Sequence, residues 1–149
     1  MKKKIYLFIA VIFTTIFIDQ AIKQIFLGGY EFRGSCFSLI LVYNKGVAFS
    51  MFESLGVYLK YIQIVFLLGI LGYVVLAKDV FKEYYIPIAL ILGAGVSNVY
   101  DRFIHGGVVD YFYWHCGFDF AIFNFADVMI DLGIVLLVIK MFRKKPASS

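Results

Sequence analysis

Residues 84–103 read Tyr-Tyr-Ile-Pro-Ile-Ala-Leu-Ile-Leu-Gly-Ala-Gly-Val-Ser-Asn-Val-Tyr-Asp-Arg-Phe. As a helix rising ~1.5 Å per residue, this stretch is long enough to cross a hydrocarbon core ~30 Å thick. Its first half is apolar, and its Pro87 is expected in the first turn, where a missing N–H does no harm. Ala89, Gly93 and Ser97 recur every fourth residue, a small-residue stripe that lets another helix approach closely. The same stripe continues to Asp101, and the neighbouring one runs through Ala94, Asn98 and Arg102. A membrane helix whose polar end shares a stripe with its tight-packing face points that end into a bundle or its mouth.

The rest of the chain agrees. It has 149 residues, 62% hydrophobic, with 17 Phe and only 16% charged. That is too little charge to clothe a water-soluble globule. The reading is an α-helical polytopic membrane protein with four transmembrane helices, at about 5–27, 57–77, 84–103 and 123–142, forming a single membrane domain over 1–149. The first segment has the basic start and apolar run of a signal peptide. Asp19 and Lys23 interrupt the cleavage region and no Ala-x-Ala-like site follows, so a retained span is expected.

Lys2, Lys3 and Lys4 precede the first span, Lys78 and Lys82 lie between the second and third, and Lys140, Arg143, Lys144 and Lys145 close the fourth. The positive-inside rule puts both termini and the 78–83 connection in the cytoplasm. Segments 28–56 and 104–122 are then extracytoplasmic. The net charge of +4 therefore reflects membrane topology and gives no pointer to nucleic acid. Within the first outer segment, Phe37–Tyr43 is rich in β-branched and aromatic residues and Asn44-Lys45-Gly46 is a turn signal, so a small strand or hairpin is expected there. Cys36 and Cys116 both fall outside, where a disulfide and two free thiols are alternatives. His105, His115, Cys116 and Asp119 match no metal-ligand spacing.

Depth counting carries the functional reading. Asp19, Lys23, Asn98, Asp101, Arg102, Asp110, Asn124 and Asp127 all fall in one slab near the outer leaflet. Carboxylates beside lipid are costly and mark function first. Asp19 has Lys23 one turn away, and Asp101 has Arg102 beside it, as candidate ion-pair partners. Asp110 and Asp127 have no basic residue close in sequence. Two such acids in an apolar setting can divide acid and base roles, as in an aspartic protease. Asp127 taken alone also fits a helix N-cap. Proton relay in a small transporter would spread acids across the membrane depth, and a non-enzymatic scaffold would have no use for the unpartnered pair.

Five motifs resemble those of the lipoprotein signal peptidases (signal peptidase II), bacterial inner-membrane aspartyl proteases. They are Asp19-Gln20 with Lys23; Asn44-Lys45-Gly46-Val47-Ala48-Phe49; Ser97-Asn98-Val99-Tyr100-Asp101-Arg102; Gly107-Val108-Val109-Asp110; and Phe123-Asn124-Phe125-Ala126-Asp127. The resemblance implies removal of the signal peptide from diacylglyceryl-modified prolipoproteins, immediately before the lipidated cysteine. It implies Asp110 and Asp127 as the catalytic pair, with Asp19, Lys23, Asn44, Gly46, Asn98, Asp101, Arg102, Asn124 and Ala126 binding substrate or supporting the site. It further implies an extracytoplasmic β-cradle, a mobile outer segment, a monomer in contact with membrane lipid, and no metal or cofactor. Val47, Ser97, Ala121 and Asp131 depart from the family pattern, where alanine, glycine, proline and a neutral residue are usual. Asp131, one turn from Asp127, has no role in it.

Overall fold

The computed structural model describes residues 1–46 and 55–143. Val47, Ala48 and Phe49 of the second motif, and Lys144 and Lys145, lie outside the described residues. The elements are α1 (Lys2–Leu27), β1 (Phe32–Arg33), β2 (Phe37–Asn44), α2 (Tyr58–Leu76), α3 (Lys78–Ile104), β3 (Val108–Trp114) and α4 (Phe125–Arg143). By length and composition α1, α2 and α3 can each cross a membrane. Helix α4 is 19 residues long and includes Asp127, Asp131 and Lys140. The outside of the bundle is oily, with Phe13, Phe17 and Val65 about two-thirds or more exposed (67%, 74% and 70%). In water such a surface would associate, whereas in lipid it is the expected outer face.

Helix α3 sits against the other three. Its stripe of Ala89, Gly93, Ser97 and Asp101 is buried, as its spacing predicts. A Cβ on Gly93 would lie 2.9 Å from the Ile12 carbonyl oxygen of α1, so only glycine permits this approach. Away from the polar end, Phe8, Val74, Ile88, Ala89 and Leu92 form the apolar core.

Two expectations about this helix need correction. The connection between the second and third spans is only Ala77, and Lys78 and Lys82 belong to α3. Pro87 therefore lies in the helix interior. A proline there leaves the carbonyl four residues earlier without its helical donor. That carbonyl belongs to Glu83, and the Lys140 ammonium of α4 donates to it at 2.6 Å. The proline is tolerated because a neighbouring helix supplies the donor.

The three strands form one antiparallel sheet in the order β1-β2-β3. Residues 37–44 are a strand, as expected, and they form a short hairpin with β1, pairing Phe32 with Leu39 and Arg33 with Ser38. Their main partner is β3 from the second outer segment, with Val42 opposite Asp110 and Asn44 opposite Val108. Local patterning cannot show a partner so distant in sequence. Helix α3 hands over to β3 through Gly106, whose φ of +73° is accessible to glycine at little cost. Phe37 stacks on Phe112, and a Cys36–Cys116 disulfide closes the same end of the sheet.

Candidate active site

The residues of the predicted slab converge on one connected cluster where α1, α3, β3 and the start of α4 meet. At its centre is the Lys23 ammonium, fully buried, 2.6 Å from Asp19 Oδ2 and 2.6 Å from Asp101 Oδ2. It also donates to Asn98 Oδ1 at 2.9 Å. Its three protons thus have three acceptors, the condition under which a buried charge is tolerated. The expected Asp19–Lys23 pair forms. The expected Asp101–Arg102 pair does not, because consecutive residues on a helix face different directions. Asp101 turns to α1, and Arg102 turns the other way. Its Nε donates to Gln63 Oε1 of α2 at 2.9 Å, and its Nη2 donates to the Gly46 carbonyl. Arg102 thereby fastens the turn after β2 to α2 and α3.

The two acidic residues at the centre of the cluster also build the backbone around it. Asp101 Oδ2 accepts the Val109 N–H at 3.1 Å, which fixes β3 one residue before Asp110. Asp19 Oδ1 accepts the Ala126 N–H at 2.9 Å, at the second position of α4. The first amides of a helix have no partner within it. Here each finds one. The Asn124 N–H donates to Asp127 Oδ2 at 3.1 Å, and the Asp127 N–H donates to Asn124 Oδ1 at 2.9 Å. This reciprocal pair is a capping box. The Phe125 N–H donates to the Tyr111 hydroxyl at 3.0 Å. The N-cap alternative for Asp127 is therefore close to what is seen: Asp127 is the third helical residue and closes the cap with Oδ2, while its Oδ1 accepts from Asn98.

Asp110 and Asp127 both line a cavity of about 310 Å³, together with Asn44, Gln63, Asn98, Arg102 and Asp131. Each carboxylate is held by amides. Asn44 Nδ2 donates to Asp110 Oδ2 at 2.9 Å, and Asn124 Nδ2 donates to Asp110 Oδ1 at 2.7 Å. Asn98 Nδ2 donates to Asp127 Oδ1 at 3.0 Å. No salt bridge reaches either acid among the described residues. Asp110 is 1% exposed. Burial, and next the charge of Asp127, push its pKa up to about 7, against hydrogen bonds from Asn44 and Asn124 and the charge of Lys23. A carboxyl group that keeps its proton near neutrality can act as an acid there.

Gly46 and Ala126 enter through their backbones, as carbonyl and amide partners. Gln20, Gln63, Ser97 and Tyr111 join the cluster beyond the expected site residues. Gln20 Nε2 donates to Asp101 Oδ1 at 2.8 Å and to Ser97 Oγ at 2.9 Å, and Ser97 Oγ donates to Asp19 Oδ2 at 2.7 Å. A glutamine beside Asp19 in an apolar span is itself costly, and that cost is its signal in the sequence. Asp131 lines the cavity and is exposed there. Of the four residues weighed for a metal, His105 lies against the Tyr43 ring, His115 bonds Ser38, Asp119 accepts from the Tyr113 hydroxyl, and Cys116 is in the disulfide.

The model of the signal peptidase (SPase) II family matches residues 11–143. A lipoprotein signal peptidase of Sulfurimonas denitrificans is 57% identical over 128 residues, 86% of this chain and 82% of that protein. One from Helicobacter pylori is 50% identical over 141 residues, covering 95% and 90%. A solved bacterial membrane enzyme at 2.3 Å resolution superposes with a TM-score of 0.80 at 23% identity, covering 97% of this chain and 96% of that one, which shows a common fold. With a family model matching from the middle of α1 to the end of α4, and relatives alike over most of their length, this chain belongs to the signal peptidase II family.

Proposed function

We propose that this protein is an aspartyl endopeptidase that removes the signal peptide from diacylglyceryl-modified prolipoproteins, cutting immediately before the lipidated cysteine. One observation carries the mechanism: Asp110 and Asp127 line one cavity, each held by asparagine amides and neither joined to a cation by a salt bridge among the described residues. Asp110 carries the proton and Asp127 is the base. Asp127 takes a proton from water as the water oxygen attacks the scissile carbonyl, and Asp110 hydrogen-bonds to the developing oxyanion. Collapse of the tetrahedral species breaks the C–N bond, and a carboxyl proton passes to the cysteine nitrogen. One water is consumed, and no covalent enzyme intermediate, metal or cofactor takes part.

In this reading all four helices span the membrane, as a single monomeric domain over 1–149. Both termini and the α2–α3 turn are cytoplasmic, and the sheet and active site are near the outer face. Lysines at the opposite end of the bundle support that orientation, as does the Cys36–Cys116 disulfide, which suits an oxidising compartment. The signal helix lies between spans, and the substrate's acyl chains stay in membrane lipid. Asp19, Lys23, Asn44, Gly46, Asn98, Asp101, Arg102, Asn124 and Ala126 support the pair.

The test is to incubate the purified protein with lipidated and unlipidated precursor and locate the cut by mass spectrometry. Cleavage just before the lipidated cysteine, abolished by Asp110→Asn and by Asp127→Asn, is expected. Full activity of either variant sinks the catalytic assignment, and equal cleavage of both precursors removes the lipid requirement.

A further inference from the structure

We propose that Tyr111 is a positioning residue for this reaction: its hydroxyl ties the first amide of α4 to β3 and so sets the separation of Asp110 and Asp127 across the cavity. The inference rests on the proposed aspartyl mechanism. Tyr111 follows Asp110 in β3, and side chains on a strand alternate between faces. Asp110 therefore turns to the cavity and Tyr111 turns away from it, toward α1 and α4. Its ring stacks on Phe26 in the last turn of α1, with centroids 4.2 Å apart and planes 7° apart. Its hydroxyl accepts the Phe125 N–H at 3.0 Å, two residues before Asp127. One buried side chain thus joins the strand bearing one acid to the helix bearing the other.

The remaining ties do different jobs. The Phe112–Phe123 backbone bridge holds the chain that precedes the helix. Asn124 grips the Asp110 carboxylate, and Asp19 reaches α4 from α1. The Tyr111 hydroxyl is the link from β3 to an amide of α4 itself. Packing on Phe26 needs only a ring, so the hydroxyl is free for the helix amide. Burial raises its pKa, so it stays neutral. Without it the first N–H of α4 is orphaned, and the end of the helix that carries Asp127 is released from β3.

The experiment compares purified full-length wild type and Tyr111→Phe on a lipidated precursor, measuring kcat, KM, the pH profile and the melting temperature. Tyr111→Phe is expected to lower kcat about three- to ten-fold, the rate equivalent of one hydrogen bond, with KM little changed. With Asp127 less firmly placed, its charge acts on Asp110 from a different distance, so the alkaline limb of the profile shifts from its wild-type position. Phe125→Pro removes the amide donor from the other side. Proline suits the first helical position, and its preceding residue is already outside the helix. Phe125→Ala keeps the amide and controls for the lost ring. Phe125→Pro should slow the enzyme relative to Phe125→Ala, and adding Tyr111→Phe should cost nothing more.

Wild-type kcat and pH profile in Tyr111→Phe, with or without a lower melting temperature, overturn the inference. So do additive effects of Tyr111→Phe and Phe125→Pro. If Asp110→Asn is inactive while Tyr111→Phe is unaffected, only the positioning role falls. A wild-type protein that does not cut overturns the proposed reaction and this inference together.

Discussion

Asp19 and Asp101 lie one layer of side chains from Asp110 and Asp127, and the two pairs are held in opposite ways. The first pair closes on a buried ammonium, Lys23, at 2.6 Å on each side. The second pair, among the described residues, accepts only from amides, at 2.7 to 3.1 Å. Ion pairing fixes charge and geometry together, which suits a scaffold. Amide donors fix geometry while leaving a carboxyl group free to exchange its proton, which suits acid–base chemistry. Asn98 joins the regions, accepting from Lys23 and donating to Asp127. The polar cluster is thus one network with an ion-paired side and an amide-held side.

The widest separation between the two sides should appear in activity. Asp110→Asn and Asp127→Asn each remove a proton-transfer group and should cost about 10²- to 10⁴-fold in kcat, with the protein still folded by circular dichroism. A variant that unfolds instead would place its acid with the scaffold. Lys23→Met reverses the expectation. It strands two buried carboxylates and should cost about 3–5 kcal/mol of stability, read by thermal unfolding in detergent. A stable Lys23→Met protein would show that the ammonium does not hold the scaffold together.

The pH dependence sharpens the contrast. Asp110 has a folded pKa raised from 3.8 to about 7, so between these values the folded state holds a proton that the unfolded state has released. Wild-type stability contributed by this group is therefore full at low pH and declines as pH rises toward about 7, with no further change above. Melting temperatures of wild type should carry this slope and those of Asp110→Asn should lack it. Activity should fall above about pH 7 as Asp110 loses its proton. A wild-type rate that climbs steadily through that range would reverse the acid and base assignments. The smallest effect belongs to Ser97→Ala, which removes one donor to Asp19 and should cost about 1 kcal/mol, with kcat nearly unchanged.

Much of the molecule was legible because the membrane simplifies the problem. Apolar length marks helices, and every polar residue near lipid stands out against them, which is how Asp19, Lys23, Asn98, Asp101 and Asn124 declare themselves. Sheet pairing was less legible. The run Val108–Trp114 has strand-like composition, yet nothing local says that it pairs with Phe37–Asn44. The interior place of Pro87 is illegible for a related reason, since the Lys140 donor that makes it tolerable comes from another helix. Arg102 is adjacent to Asp101 in the chain, yet helical geometry turns the two apart. Tyr111 left no signal, because an aromatic residue in a strand is ordinary until its hydroxyl meets a helix amide.

The sequence by itself determined that this chain belongs in a membrane, where its apolar helices lie, and that a few polar residues gather toward one end. Those properties follow from transfer free energy and helical rise, which act residue by residue. Tertiary structure decided which carboxylates are neutralised and which stay free to exchange protons. That choice depends on a single ammonium reaching Asp19 and Asp101 while three asparagines from β2, α3 and the start of α4 reach Asp110 and Asp127. Hydrogen bonds act over about 3 Å, so only the packed fold can distribute them.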